Sequence, residues 1–149
     1  MGYSFLEHRS DIIILGKNVS FESALVDVAA GMFSQMGAEH AKEKESFELE
    51  FVAPTKEQLV VQLLTEIIAE CETRPFTPKR MEVFRFDHAK LSIAIRVYGE
   101  NKVSENIIKA VTYHELRIEK KIDEKAGKEI GKNAGTEAAS WEIQVLFDI

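Results

Sequence analysis

The sequence predicts an α+β fold, a mostly antiparallel sheet with two amphipathic helices packed on one face, and three observations predict it. Short segments alternate apolar and polar residues at a period of two, as half-buried strands do. Two longer segments carry apolar residues at helical spacing. Those helices stand far apart instead of falling between successive strands, so a parallel sheet built on βαβ units is not the pattern.

Tyr3 to Glu7 and Asp11 to Leu15 read as two short strands, the second apolar on both faces from Ile12 to Leu15, as a central strand requires. Gly16 and Asn18 then supply turn chemistry. Ser20 suits an N-cap, and Phe21, Ala24, Leu25, Val28, Met32, Phe33 and Met36 follow at helical spacing until Gly37, over about four to five turns. A charged loop from Glu39 to Glu45 leads to Phe47, Leu49 and Phe51, which alternate with Glu48 and Glu50 as a strand. Thr55 and Gln58 form a capping box for the second helix, where Leu59, Leu63, Ile67 and Cys71 line one face until Pro75 and Pro78 stop it.

Three further strands are expected at Met81 to Phe86, Leu91 to Val97 and Lys109 to Lys120. Gly127, Gly131 and Gly135 punctuate a charged connector. The last strand, Trp141 to Ile149, sets Trp141, Ile143, Val145, Phe147 and Ile149 on one face and Glu142, Gln144, Leu146 and Asp148 on the other. Val28, Phe51, Leu63, Ile95 and Trp141 lie on the apolar faces of their elements and are expected in one core. No repeat or linker interrupts the pattern, so residues 1–149 read as one domain.

Composition narrows the function. The 149 residues carry 19 Lys and Arg against 25 Asp and Glu, a formal charge of −6, which argues against a nucleic-acid binder acting alone. The longest apolar candidate, Leu59 to Ala69, is interrupted by Gln62, Thr65 and Glu66, so no membrane span is expected. Ile12 to Leu15 is too short for the apolar region of a signal peptide, and Leu6 stands where a myristoylation motif wants Ser or Thr. A single cysteine within a helical pattern reads as a structural thiol in a reducing compartment, and a cytoplasmic location follows as the expectation.

Familiar enzyme machinery is missing: no glycine-rich phosphate loop, no paired cysteines for zinc, no His-Glu-x-x-His run. The histidines His8, His40, His88 and His114 are scattered, and a lone histidine is most often a surface or hydrogen-bonded residue. Three segments nonetheless set polar groups against apolar strands. In Glu7 to Ile12, the ordinary work of Ser10 or Asp11 is to satisfy turn amides. In Ile108 to Glu115, strand alternation gathers Lys109, Val111, Tyr113 and Glu115 on one face with His114 opposite, a surface strand with an ion pair in its ordinary reading. In Phe147-Asp148-Ile149, the Asp148 carboxylate lies beside the terminal carboxylate, an oxygen cluster suited to Ca²⁺ or Mg²⁺ if a second acidic residue joins it.

Those three segments, with the run Ala29-Ala30-Gly31-Met32-Phe33, resemble the archease family. The matching pieces are His8-Arg9-Ser10-Asp11-Ile12, the strand Lys109 to His114, and the closing Phe147-Asp148-Ile149. The resemblance spans almost the whole chain. Arg9 departs from the usual Thr and Glu115 from the common Asp, so the resemblance assigns no role to those two side chains.

The resemblance implies a protein that is not itself an enzyme but activates an RNA ligase of the RtcB type used in tRNA splicing, promoting its guanylylation with GTP and a divalent metal. It maps the family's acidic positions onto Asp11 and Asp148 and its basic position onto Lys109, with His8, Tyr113 and His114 as supporting residues. A metal held by Asp11, Asp148 and the backbone or terminal oxygens of Ile149 is implied, and RNA would be contacted only through the complex. Two other readings compete: a metal-dependent hydrolase of small phosphate compounds with His114 as general base, and a structural interaction module whose carboxylates only tie down the chain end. The oligomeric state is not set by the sequence.

Overall fold

The computed structural model describes residues 1–6, 10–123 and 138–149. Seven strands and two helices follow in the order β1 (Gly2–Leu6), β2 (Asp11–Asn18), α1 (Phe21–Ser34), β3 (Glu45–Val52), α2 (Lys56–Thr73), β4 (Thr77–Asp87), β5 (Ser92–Glu100), β6 (Ala110–Asp123) and β7 (Ala138–Asp148), with a 3₁₀ turn at Ala38–His40. Every strand pair is antiparallel, as the α+β reading requires. The strands divide between two sheets, β1-β2-β7-β6 and β3-β5-β4, where the sequence suggested one. His8, Arg9 and the connector bearing Gly127, Gly131 and Gly135 lie outside the described residues.

Both helices start where their caps dictate. The Ser20 side chain accepts from the Ser23 amide at 3.1 Å and that of Thr55 from the Gln58 amide at 3.1 Å, each satisfying a donor the first turn leaves open. The first helix gives way to Gly37, whose φ of 94° is a conformation glycine adopts without strain. α1 packs on β2 and β7 of the larger sheet and on β4 of the smaller, while α2 packs on β6 and β3, so each helix touches both sheets. Val28, Leu63 and Ile95 are fully buried in the resulting core, and the half-buried Phe51 and Trp141 pack against it. Burial of each large side chain contributes ~1.5–3 kcal/mol.

Two details depart from the sequence reading. Gly16 does not make a turn but lies within β2, beneath α1. A Cβ there would meet the Ala24 carbonyl oxygen at 2.4 Å and a Val28 methyl at 2.7 Å, so the missing side chain is what lets helix and sheet approach. Pro78 does not stop a helix but sits inside β4, which pairs only with β5, and its missing N–H therefore costs no ladder bond on the open side. The turn from β4 to β5 is held by the Asp87 carboxylate, which accepts from the Ala89 and Lys90 amides at 2.9 and 3.1 Å.

The Cys71 thiol is buried on α2, and that burial pushes it up to about 12, against the opposing pull of Arg74, so it stays protonated and unreactive. Among the described residues no helix is long and apolar enough to cross a membrane.

The tight seat of Gly16 gives a direct test. Gly16→Ala should destabilise the protein by ~1–3 kcal/mol, because the clash falls on backbone and not on a flexible side-chain tip. Chemical denaturation of both proteins measures it, and an unchanged midpoint would show that α1 can back away freely.

Candidate functional site

β7 is the strand around which the polar residues gather. Its antiparallel register with β2 sets Asp11 opposite Asp148, and on its other side β6 sets Ala110 opposite the same Asp148. Directly opposed Cα atoms lie roughly 4.5–5.5 Å apart and their side chains share a face, so the two carboxylates rise together at the end of the sheet. Asp148 is exposed and Asp11 half-buried.

The ladder continues one residue past each strand. The Lys109 amide donates to the Asp148 carbonyl at 2.7 Å, and the Ile149 amide donates to the Ser10 carbonyl at 3.2 Å. Ser10, Asp11, Lys109, Asp148 and Ile149 are thereby tied into one group by backbone bonds. Lys109 is exposed, yet its backbone is anchored. Asn106 clasps the buried Ile108, accepting from its amide at 2.8 Å and donating to its carbonyl at 3.2 Å. Ser104 donates to the Met36 carbonyl at 2.8 Å and fastens the same segment to the end of α1.

The other named residues fall on an irregularity. Between Thr112 and Arg117 the β6 register shifts against β7: Thr112 faces Leu146, while Arg117 already faces Gln144. Tyr113, His114, Glu115 and Leu116 therefore bulge out of the ladder, with Glu115 at a φ of 55°. The regular pairing expected from Lys109 to Glu115 is interrupted for this reason, and Tyr113, His114 and Glu115 are all exposed. The bulge adjoins the carboxylate pair along β7 but is not part of it.

A side-chain network braces the bulge. Gln144 donates to the Glu115 carbonyl at 3.0 Å, and Arg117 donates to the Gln144 side-chain oxygen at 3.4 Å and to Glu142 at 3.1 Å. Glu142 is buried on the open face of the sheet, with Lys121 at 2.9 Å and Lys17 at 3.8 Å. The Lys121 hydrogen bond, supported by Arg117, holds its carboxyl below the ordinary 4.5 against the opposing effect of burial. Arg117, Glu142 and Gln144 did not stand out in the sequence, because pairing them requires the shifted register. A glutamate alternating with apolar residues in a strand was the only available signal.

Among the described residues, no group of three or more His, Cys, Asp or Glu side chains gathers as a metal would need. The set formed by Asp11, Asp148 and the Ile149 oxygens is nevertheless all oxygen, the chemistry a hard cation takes.

Comparison with known proteins covers the whole of this arrangement. The model of the archease protein family matches residues 3–149. An archease-like protein of Drosophila melanogaster is 25% identical over 156 residues, covering 100% of this chain and 91% of that protein. Among solved structures, a Methanobacterium thermoautotrophicum protein superposes with a TM-score of 0.71 at 17% identity, covering 99% of both chains. A Thermotoga maritima archease, described as a possible chaperone, superposes with a TM-score of 0.58 at 21% identity, covering 97% of this chain and 94% of that one. At such identities the two structures speak to the fold.

The Glu142 network predicts a pH dependence. A carboxyl held below its ordinary value adds stability above that value and loses it as pH falls through the folded one. Glu142→Gln should therefore cost ~1–2 kcal/mol near neutrality, a modest figure because its three cationic partners are partly solvated. The gap to the parent protein should close as pH drops below about 4. Urea denaturation at a series of pH values checks it, and a gap that stays constant would mean the charge of Glu142 contributes nothing.

Proposed function

The chain belongs to the archease family, and from that premise we propose that it activates an RNA ligase of the RtcB type, promoting the ligase's guanylylation with GTP and a divalent cation. The observation that carries this reading is the register that brings Asp11 beside Asp148 while the Lys109 amide bonds to the same residue. Two carboxylates thus share one end of the sheet, where the backbone of the exposed Lys109 is also anchored, on a chain whose net charge of −6 and lack of a phosphate-cradling loop suit it poorly to hold GTP or RNA alone. In this reading the reacting groups belong to the ligase, the chain is not an enzyme by itself, and RNA is met only in the complex. The description of the Thermotoga protein as a possible chaperone agrees with a molecule whose work is done on another protein.

Asp11, Asp148 and the Ile149 oxygens would hold Ca²⁺ or Mg²⁺. So small a set suits a cation shared with a partner, since Mg²⁺ is commonly bound by one or two carboxylates together with substrate phosphates. A bound cation supplies charge stabilisation at phosphoryl oxygens. Asp11 and Asp148 would place that charge, and Lys109 would set a second positive group beside it for the charge that develops as the nucleotide transfers. Tyr113 and His114, exposed on the braced bulge, would meet the partner's surface next to the site.

Guanylylation of the ligase, followed with labelled GTP over several turnovers, tests the proposal. Asp148→Asn should reduce stimulation by roughly 100-fold, the size expected when one preorganised electrostatic group is lost. Asp11→Asn and Lys109→Ala should weaken stimulation as well. The melting temperature of Asp148→Asn should hold or rise slightly, because two facing carboxylates repel each other. Full stimulation by Asp148→Asn would refute the site. Loss that tracks a lower melting temperature would point to a structural role, and phosphate release without ligase to a hydrolase using His114.

A further inference from the structure

A lysine side chain is long and rich in rotamers, so one that serves a fixed point needs at least its backbone held still. Lys109 closes a stretch, Val103 to Lys109, that forms neither helix nor strand. Its backbone groups must therefore find partners outside any regular ladder. The stretch rests on the end of α1. The Ser104 hydroxyl donates to the Met36 carbonyl at 2.8 Å and the Ile107 amide to the Gln35 carbonyl at 3.4 Å. Glu105 lies so close over Gly37 that a Cβ on the glycine would meet the Glu105 Cβ at 3.3 Å.

The peptide that joins Ile108 to Lys109 is held at both ends. Its carbonyl accepts from Asn106 Nδ2 at 3.2 Å, and its N–H donates to the Asp148 carbonyl at 2.7 Å. A peptide unit is planar, so bonds on its two opposite sides fix its tilt. Ala110 already belongs to β6, which fixes the chain on the far side of Lys109. Both backbone dihedrals of Lys109 are thereby set, and with them the direction in which its side chain leaves the chain. Asparagine suits the task because one amide group carries an acceptor and two donors. Asn106 Oδ1 accepts from the Ile108 amide at 2.8 Å, the two-residue reach natural to this side chain, and the buried Ile108 side chain keeps the clasp in place. Asn106 Nδ2 also lies 3.5 Å from Glu72 Oε1, which ties the clasp to α2.

Resting on the reading of Lys109 as the cation of the activator site, we propose that Asn106 is a positioning residue for it. The Asn106 side-chain amide pins the peptide ahead of Lys109 and so fixes the point beside Asp148 from which the lysine reaches the ligase. Asn106 touches no reacting group and acts only through Lys109. Its donor to the Ile108 carbonyl does this work, and its acceptor shapes the turn.

Two measurements on the full chain test this, the first without ligase. In amide hydrogen exchange, Asn106→Ala should speed exchange at Ile108, whose amide loses its acceptor, by roughly tenfold, with the core strands unchanged. With ligase, Asn106→Ala should lower the maximum stimulation of guanylylation by roughly tenfold, the effect of a misplaced group. The concentration giving half-maximal stimulation and the melting temperature should both stay as in the parent. Added to Lys109→Ala, Asn106→Ala should cost nothing more, because two changes on one path do not add. Asn106→Asp, made together with Glu72→Gln so that no like charge faces it, keeps the acceptor and drops the donor. It should fold as the parent and still lose stimulation, and it decides the matter where the alanine variant folds poorly. Full stimulation by Asn106→Ala or by Asn106→Asp, beside an impaired Lys109→Ala, would overturn the role of Asn106 and leave the activator reading standing. Full stimulation by Lys109→Ala would overturn both. A loss that adds to that of Lys109→Ala, a loss that follows the melting temperature, or an unchanged Ile108 exchange rate would also overturn the proposal.

Discussion

The pairing of β2 with β7 is the constraint on which the rest of the molecule depends. Along both strands the residues facing the helices are apolar, Ile12 and Ile14 on one and Ile143, Val145 and Phe147 on the other. A slip of one residue would turn that set toward water and bring Lys17, Glu142 and Gln144 inward, so the hydrophobic effect enforces the register. Once the register is set for the core, the position of Asp11 beside Asp148 at the sheet end follows with no separate cause. The geometry of the polar group is thus inherited from packing. Gly16 belongs to the same constraint, since a side chain there would hold α1 away from the strand pair it covers.

β6 adds the second ingredient, a place where regular pairing is given up. The residues from Tyr113 to Leu116 leave the ladder, Glu115 takes a left-handed conformation that costs a residue with a Cβ ~1–2 kcal/mol, and a chain of side-chain bonds from Glu142 through Arg117 and Gln144 holds the result. Strain kept in place by a dedicated brace is common beside functional groups, and here it lies next to the carboxylate pair.

Much of this was legible from local chemistry. Ser20 and Thr55 announced their helices because capping is a matter of three neighbouring residues, and the periodic apolar faces identified Val28, Leu63 and Ile95 as core. Asp11, Lys109 and Asp148 were named through short motifs, and the structure ties them together by backbone bonds, while His8 lies outside what it describes. What escaped was long-range. The division into two sheets depends on partner choice between distant strands, which alternation does not encode. The bulge at Tyr113, His114 and Glu115 escaped because a strand reads the same with or without its partner. Gly16 and Pro78 were misjudged alike: both are turn formers by propensity, yet one is needed for close approach and the other is tolerated on an open edge.

The sheet order also bears on how the molecule comes into being. β2 lies near one end of the sequence and its partner β7 near the other, whereas β4 and β5 are joined by a tight turn. Contacts between distant segments form late, because closing the intervening loop costs entropy before any contact repays it. During synthesis Asp11 emerges well before Asp148, with the strand Ile12 to Leu15 left without β7 in the meantime. The carboxylate pair therefore depends on the long-range pairing of β2 with β7, and a chain without that pairing does not present it.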